Sequence, residues 1–115
     1  MTKVSTQEGI TVVEVDAQYD SLDVAKLNEF GAELLTAVAA ANPPKVLLDM
    51  RRTTFIGSNF LGLLIRAWKR LRDRHGELAL CQVNDVCGEV LRASKLDMIW
   101  QVFPDRETAV TRLRQ

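Results

Sequence analysis

The sequence predicts an α/β fold with a mixed, largely parallel β-sheet of four or five strands and about four α-helices. Short apolar segments that suit strands alternate along the chain with longer segments whose apolar residues recur at helical spacing. The segment from Lys45 to Met50 contains an uninterrupted apolar run, as is typical of a strand buried on both faces. The 115 residues, 47% of them apolar, predict one domain over residues 1–115.

The first part of the chain predicts two strands and a helix before the strand that starts at Lys45. Thr11 to Val15 is a predicted strand, and Val4 to Thr6 predicts a shorter one before a turn at Glu8-Gly9. The helix that follows ends at Asn42-Pro43. Its candidate N-caps are Asp20, Ser21 and Asp23, and its apolar face is Leu27, Phe30, Leu34, Val38 and Ala41.

The second part predicts three helices and two strands. In order, these are a helix from about Asn59 to His75, a strand from Leu78 to Val83, a helix capped by Asn84-Asp85 that runs through Leu91, a strand from Met98 to Phe103, and a helix from Pro104-Asp105 to about Leu113. The core stripe predicted for the long helix is Leu61, Leu64, Trp68 and Leu71.

Charge and composition exclude several classes of function. Fifteen acidic and fifteen basic side chains cancel, so no overall field favours nucleic acid or an anionic membrane. No segment has the length and hydropathy of a membrane-spanning helix or of a signal peptide, which favours a cytoplasmic protein. Cys81 and Cys87 form neither a disulfide framework nor a C-x-x-C pair, and burial as small apolar residues is expected for both.

Ser58 is the candidate functional residue, because Gly57-Ser58-Asn59 follows a strand and opens the long helix. Its hydroxyl is expected at the surface, next to unpaired N–H groups and the positive end of the helix dipole, where a phosphate or a partner's anion could be held. The alternative is a helix N-cap alone, worth about 1 kcal/mol. Phe60, off the predicted stripe, is expected to leave an aromatic ring at the surface, and Gly57 leaves the backbone open to a protein partner.

Catalysis and metal binding are not supported. Ser58 and His75, the one histidine, lie 17 residues apart on one helix, or about 25 Å at 1.5 Å per residue. His75 is expected in the last turn, where its charged form suits the dipole. Gly57 to Gly62 matches G-x-x-x-x-G, but Leu63 and Leu64 replace the Lys and Ser/Thr that a phosphate-binding loop needs. We therefore predict no enzyme activity, cofactor or metal.

A basic cluster on the long helix is predicted to be a solvated face, with an acidic partner surface as the alternative. Its members lie away from the core stripe, and several are near the C-terminal end, where cations are stabilising. They are Arg66, Lys69, Arg70, Arg72 and Arg74.

Two segments together resemble the STAS domain, the fold of bacterial anti-sigma factor antagonists that also occurs in stressosome proteins, lipid-transport complexes and anion-transporter tails. They are VLLDMRRTTFIGSNFLGLL and LRDRHGELALCQVNDVCGEVLRASKLDMIWQVFPDRETAV. The pieces that match are a strand ending at Asp49, Phe55-Ile56 before the helix, Gly76-Glu77-Leu78 at the next strand, Val90-Leu91, and Leu96 to Phe103. The resemblance implies a mixed sheet with helices mostly on one side.

In the antagonists the helix opens with Asp-Ser-Ser/Thr-Gly-Leu, and the first Ser is phosphorylated by a partner kinase. Placed on this chain, that acceptor is Ser58, and Leu61 and Gly62 also match. Gly57 replaces the Asp, Asn59 the Ser or Thr, and Phe60 the Gly. A further difference lies at Lys95, where the family commonly has Gly.

The resemblance implies partner switching as the leading hypothesis. The unmodified segment from Gly57 to Gly62 would dock on an anti-sigma factor that is a serine kinase, phosphorylation of Ser58 would release it, and a phosphatase would reverse the change. The altered motif at Gly57, Asn59 and Phe60 keeps a second hypothesis open, that of a non-phosphorylated adaptor subunit in a signalling scaffold or a lipid-transport complex.

Overall fold

The computed structural model describes residues 3–15 and 24–115, which form a five-stranded sheet and four α-helices. The strands are β1 (Lys3–Gln7), β2 (Ile10–Glu14), β3 (Lys45–Asp49), β4 (Glu77–Cys81) and β5 (Gln101–Phe103). The helices are α1 (Val24–Ala40), α2 (Ser58–Asp73), α3 (Asp85–Ala93) and α4 (Arg106–Arg114). A short 3₁₀ helix spans Leu96–Met98.

The strands lie in the sheet in chain order, from β1 to β5. β1 pairs with β2 antiparallel, and the other three pairings are parallel. The tight turn between β1 and β2 has positive φ at both central residues, 51° at Glu8 and 87° at Gly9, as hairpins of this length favour. The predicted fold class, a mixed and largely parallel sheet with four helices, is confirmed.

Alternate residues of the central strands pack on opposite faces of the sheet. Val46 and Leu48 belong to the larger core, which α1, α2 and α3 cover, whereas Leu47 packs on the other face under α4. The smaller core consists of Ile10, Val12, Leu47, Ala79, Cys81, Ala109, Val110 and Leu113. Because both faces of β3 are covered, its apolar residues run without interruption.

The last strand is shorter than the sequence predicts. Residues 98–103 were expected to be extended, but Leu96–Met98 is a 3₁₀ helix and the strand begins at Gln101. Lys95 has a φ of 59°, which stops α3, and the N–H groups of Ile99 and Trp100 then both donate to the Leu96 carbonyl. This left-handed position explains why a glycine is common there in the proteins the chain resembles.

The end of α2 is fixed by a close approach to another segment. After Asp73, the N–H of His75 donates to the Arg72 carbonyl and the N–H of Gly76 donates to the Leu71 carbonyl, the pattern of a Schellman motif. His75 takes the left-handed position with φ of 60°, outside the helix proper, so the prediction that it sits in the last turn is wrong by two residues. A Cβ on Gly76 would clash with the Pro44 carbonyl oxygen.

The other predicted boundaries agree with the structure to within a few residues. Asn84 is the N-cap of α3, and Asp105 is the N-cap of α4. The apolar face predicted for α1 is buried, from Leu27 to Ala41. The candidate caps of α1 (Asp20, Ser21 and Asp23) lie outside the described residues. Among the helices that are described, none is long and apolar enough to cross a membrane.

Candidate functional site

Ser58 is the first residue of α2, and its side chain is exposed. The N-cap is Gly57, in an extended conformation with φ −106° and ψ 179°, and the first helical hydrogen bond is donated by the N–H of Leu61 to the Gly57 carbonyl. The alternative that Ser58 is the N-cap is therefore wrong by one residue. Gly57 has no side chain that could cap the first N–H groups of this helix.

Phe60 lies in the core, which corrects the expectation that its ring is at the surface. It is 1% exposed, and its ring stacks on that of Phe30 in α1, with centroids 5.2 Å apart and planes 5° from parallel. Phe60, Leu64, Ala67 and Leu71 form an i, i+4, i+7, i+11 stripe on α2, and all four are buried. In the predicted stripe, Leu61, Leu64 and Leu71 are indeed buried, whereas Trp68 is only half-buried and Phe60 and Ala67 were not included.

The exposed aromatic ring near Ser58 belongs to Phe55, which is 48% exposed. It precedes the buried Ile56 in the segment between β3 and α2. Gly57 faces the same side, since a Cβ placed on it would lie 3.8 Å from the Phe55 ring. The sequence analysis considers Phe55 only as part of the family resemblance and misses this exposed ring, because no helical or strand pattern covers residues 51–57.

Ser58, Asn59 and Gly62 line one groove between α1 and α2. The groove has a volume of ≈ 340 Å³, and its other lining residues are Val24, Leu27, Asn28, Leu63 and Arg66. No atom of the described residues lies within 4 Å of where a Cβ on Gly62 would be, so these residues leave this part of the helix surface open. Of the residues named from the sequence, Ser58, Asn59 and Gly62 thus line one groove, Gly57 lies next to Ser58 in the chain, and Phe60 is buried.

The segment that leads to Ser58 begins at the buried carboxylate of Asp49. Asp49 is 7% exposed, and its Oδ1 accepts the N–H of Arg51 at 3.0 Å. Its Oδ2 accepts Nη2 of Arg106 at 2.7 Å and Nε at 3.1 Å, and the same Nη2 lies 2.9 Å from a carboxylate oxygen of Glu14. Sequence reasoning missed Arg106, because 57 residues separate it from Asp49.

The middle of the same segment is joined to the start of α3 by Asn84. The Oδ1 of Asn84 accepts the N–H of Cys87 at 2.8 Å, which caps α3. Its Nδ2 donates to the carbonyls of Thr53 and Thr54, each at 3.2 Å. The N–H of Thr53 in turn donates to the Met50 carbonyl at 3.0 Å.

The structure does not bring the Ser58 hydroxyl and the His75 imidazole together. Ser58 and His75 lie at opposite ends of α2, and both cysteines are buried thiols. Burial raises the pKa of the Cys81 thiol to about 12, with the nearby Asp49 carboxylate adding to the effect. Within residues 3–15 and 24–115, no three His, Cys, Asp or Glu side chains are grouped as a metal site would require.

The basic cluster of α2 is exposed, but two of its members have structural contacts. Arg74 donates from Nη1 to the Val38 carbonyl at 2.6 Å and from Nη2 to the Ala41 carbonyl at 2.8 Å, which satisfies carbonyls at the end of α1. The Arg72 guanidinium lies 4.8 Å from the centre of the Trp68 ring. The predicted solvated face is confirmed by this exposure, and Arg74 and Arg72 have these contacts in addition.

The sequence was compared with protein-family models and with known proteins. The sequence model of the STAS domain matches residues 2–109. A protein of Bordetella bronchiseptica, provisionally named anti-sigma factor antagonist BtrV, is 32% identical over 104 residues, which cover 87% of this chain and 90% of that protein.

Solved structures give the same result. An anti-sigma-factor antagonist (STAS) domain protein from Planctomyces limnophilus has a TM-score of 0.91 and 30% identity, with 99% of this chain and 98% of that chain covered. The Bacillus cell fate determinant SpoIIAA in its phosphorylated form has a TM-score of 0.74 at 18% identity, with 97% and 98% covered, a likeness that concerns the fold.

Proposed function

Because the chain belongs to the STAS domain family, we propose that it is an anti-sigma factor antagonist that acts by partner switching. In its unmodified form it binds an anti-sigma factor that is also a serine kinase, and so frees the sigma factor. Phosphorylation of Ser58 ends this binding, and a phosphatase restores it. The observation that carries the proposal is the exposed hydroxyl of Ser58 at the first position of α2.

The start of α2 suits a residue that must carry a phosphate without unfolding the protein. A phosphoserine adds roughly −1.5 to −2 charges at pH 7. The first turn contains no acidic side chain to repel this charge, and the positive end of the helix dipole favours it. We therefore expect the phosphorylated protein to keep its fold.

The surface around Ser58 suits a partner that the phosphate would repel. The Phe55 ring and the open backbone at Gly62 offer apolar contact area beside the hydroxyl. A partner that covers this area must remove water from residue 58, which costs little for a hydroxyl and much for a dianion. A coupling free energy of about 3 kcal/mol would weaken binding by about 150-fold.

The test is phosphorylation by the cognate anti-sigma kinase with ATP, followed by mass spectrometry. Phosphate is expected on Ser58 in the wild type and to be lost in Ser58→Ala. Ser94→Ala, at an exposed helix end of α3, is the matched control and should remain a substrate. Phosphate on another residue, or on none, would refute the switch.

A second candidate function is a non-phosphorylated adaptor, favoured by Gly57 and Asn59 at the two positions where the antagonists carry Asp and Ser or Thr. The variant Gly57→Asp separates the two functions. The extended backbone at residue 57 accepts any side chain, and its Cβ would meet only the Phe55 ring at ordinary contact distance. If the wild type binds the kinase but only Gly57→Asp becomes phosphorylated, the adaptor function is supported.

A further inference from the structure

We propose that Asn84 is a positioning residue for Ser58: its amide fixes the segment that presents the hydroxyl to the kinase. The inference rests on the proposed function for its consequence, but the contact itself can be tested on the protein alone. Asn84 lies on a different element from Ser58, at the start of α3, and acts through the backbone of Thr53 and Thr54.

The choice of asparagine at this position is explained by its three hydrogen bonds. A cap for α3 needs one acceptor, which Asp or Ser supplies as well as Asn does. The Asn84 amide also donates to two carbonyls at the same time, those of Thr53 and Thr54. Among common N-cap residues, only the amide of Asn combines an acceptor with two N–H donors, so the side chain fits a joint between two segments better than a cap alone.

The joint completes the anchoring of the segment from Met50 to Gly57. Asp49 holds its beginning through the N–H of Arg51, and α2 holds its end. Asn84 holds the middle, with Phe55 and Gly57 between this point and Ser58. The exposed ring and the hydroxyl are therefore displayed in one arrangement, and a partner does not have to order the segment when it binds.

The expected consequence is kinetic. Release of the carbonyls of Thr53 and Thr54 would let the segment adopt arrangements in which Ser58 no longer meets the kinase correctly. The hydroxyl itself would be unchanged, so the loss should fall on recognition, as a raised KM, before it falls on kcat.

The first experiment uses Asn84→Asp, which keeps the cap acceptor and removes both donors. Amide hydrogen exchange is followed at Thr53, whose N–H bonds the Met50 carbonyl, and at Cys87, whose N–H bonds the residue 84 side chain. We expect exchange at Thr53 to accelerate by about tenfold, the effect of losing two ordinary hydrogen bonds, with Cys87 unchanged. Unchanged exchange at Thr53 overturns the inference.

Asn84→Ser is the second variant. It tests the same inference without adding a carboxylate, in case Asn84→Asp destabilises the whole protein. Serine keeps a cap acceptor but is too short to hold both carbonyls, so it should also release Thr53 and not Cys87. Equal acceleration at Thr53, Cys87 and the strands of the sheet would indicate global unfolding. That result would assign Asn84 a purely structural role and overturn the inference.

The second experiment measures phosphorylation of Ser58 in the two Asn84 variants. We expect KM for the substrate protein to rise at least about fivefold with kcat within about twofold of wild type, a split that reflects lost binding rather than altered chemistry. Unchanged kinetics with a released segment would refute the positioning role. If the wild type itself is not phosphorylated, the proposed function fails. The hydrogen-exchange experiment still shows whether Asn84 holds the segment that leads to Ser58.

Discussion

Replacing Phe60 with alanine is expected to remove one half of a buried aromatic pair and to lower the stability of the fold sharply. Phe60 is 1% exposed and Phe30 is fully buried, with their rings stacked at 5.2 Å. The family resemblance places a glycine here, which would remove the ring that stacks on Phe30. In this chain the side chain is therefore part of the α1–α2 contact and not of the surface that a partner meets.

The size of the effect follows from this burial. Loss of a buried phenylalanine ring costs about 3–5 kcal/mol, and roughly 0.5–1.5 kcal/mol of that is the specific coupling between stacked rings. For a chain of 115 residues, an entropy of unfolding near 2.1 cal/mol/K per residue converts the loss to a fall of roughly 12–20 °C in Tm. Phe60→Leu, which keeps most of the volume, should cost less than about 1.5 kcal/mol.

Urea unfolding followed by circular dichroism provides the measurement, with the matched variant Phe55→Ala beside it. Phe55 is 48% exposed, so its removal should change the free energy of unfolding by less than about 0.5 kcal/mol, while partner affinity falls. Phe60→Leu should show the reverse, with reduced stability and unchanged affinity. A loss below about 1 kcal/mol for Phe60→Ala would refute the burial argument.

Three further predictions concern stability. His75→Gly should raise the free energy of unfolding by about 0.5–1 kcal/mol, because glycine adopts the φ of 60° without strain; thermal melts without a gain would contradict this. Arg106→Met should lower the free energy of unfolding by roughly 3 kcal/mol, because it removes the guanidinium that is paired with the buried Asp49 carboxylate. The control Arg114→Met breaks an exposed ion pair with Glu8 and should lower it by less than about 1 kcal/mol. Equal losses of stability in urea titrations would contradict the argument from burial. Burial raises the pKa of the Cys81 thiol from an ordinary value of 9.0 to about 12. The stabilising contribution of the buried thiol is therefore fully present below pH 9 and is lost as the pH rises towards 12. The difference in the free energy of unfolding between wild type and Cys81→Ala should narrow over that interval, and parallel pH profiles would contradict this prediction.

The order and type of the elements could be predicted because each has a local signal. The continuous apolar run of β3, the caps at Asn84 and Asp105 and the turn at Glu8-Gly9 all appear in the sequence and in the structure. The strand predicted from Met98 failed for a local reason too. After the left-handed Lys95, the 3₁₀ helix ends at Met98 and the N–H groups of Ile99 and Trp100 bond the Leu96 carbonyl, although the apolar residues 98–100 alone suit a strand.

The candidate site was less predictable, because its arrangement depends on contacts between distant residues. The sequence pattern is compatible with a buried Phe60, since residues 60, 64, 67 and 71 share one face of the helix. The apolar stripe predicted from Leu61 instead of Phe60 wrongly left the Phe60 ring at the surface. Arg74 and Arg106 carried no such signal. Whether an arginine is solvated or bonds the end of another helix depends on how the helices pack, which no local pattern records.

The smaller core has a consequence for synthesis on the ribosome. In the described part of the chain, the helix that covers this face of the sheet is α4, and it follows all five strands in the sequence. A polypeptide that has emerged only as far as β5 leaves Ile10, Val12 and Leu47 uncovered and exposed to other emerging chains. A product cut off before Arg106 should therefore aggregate.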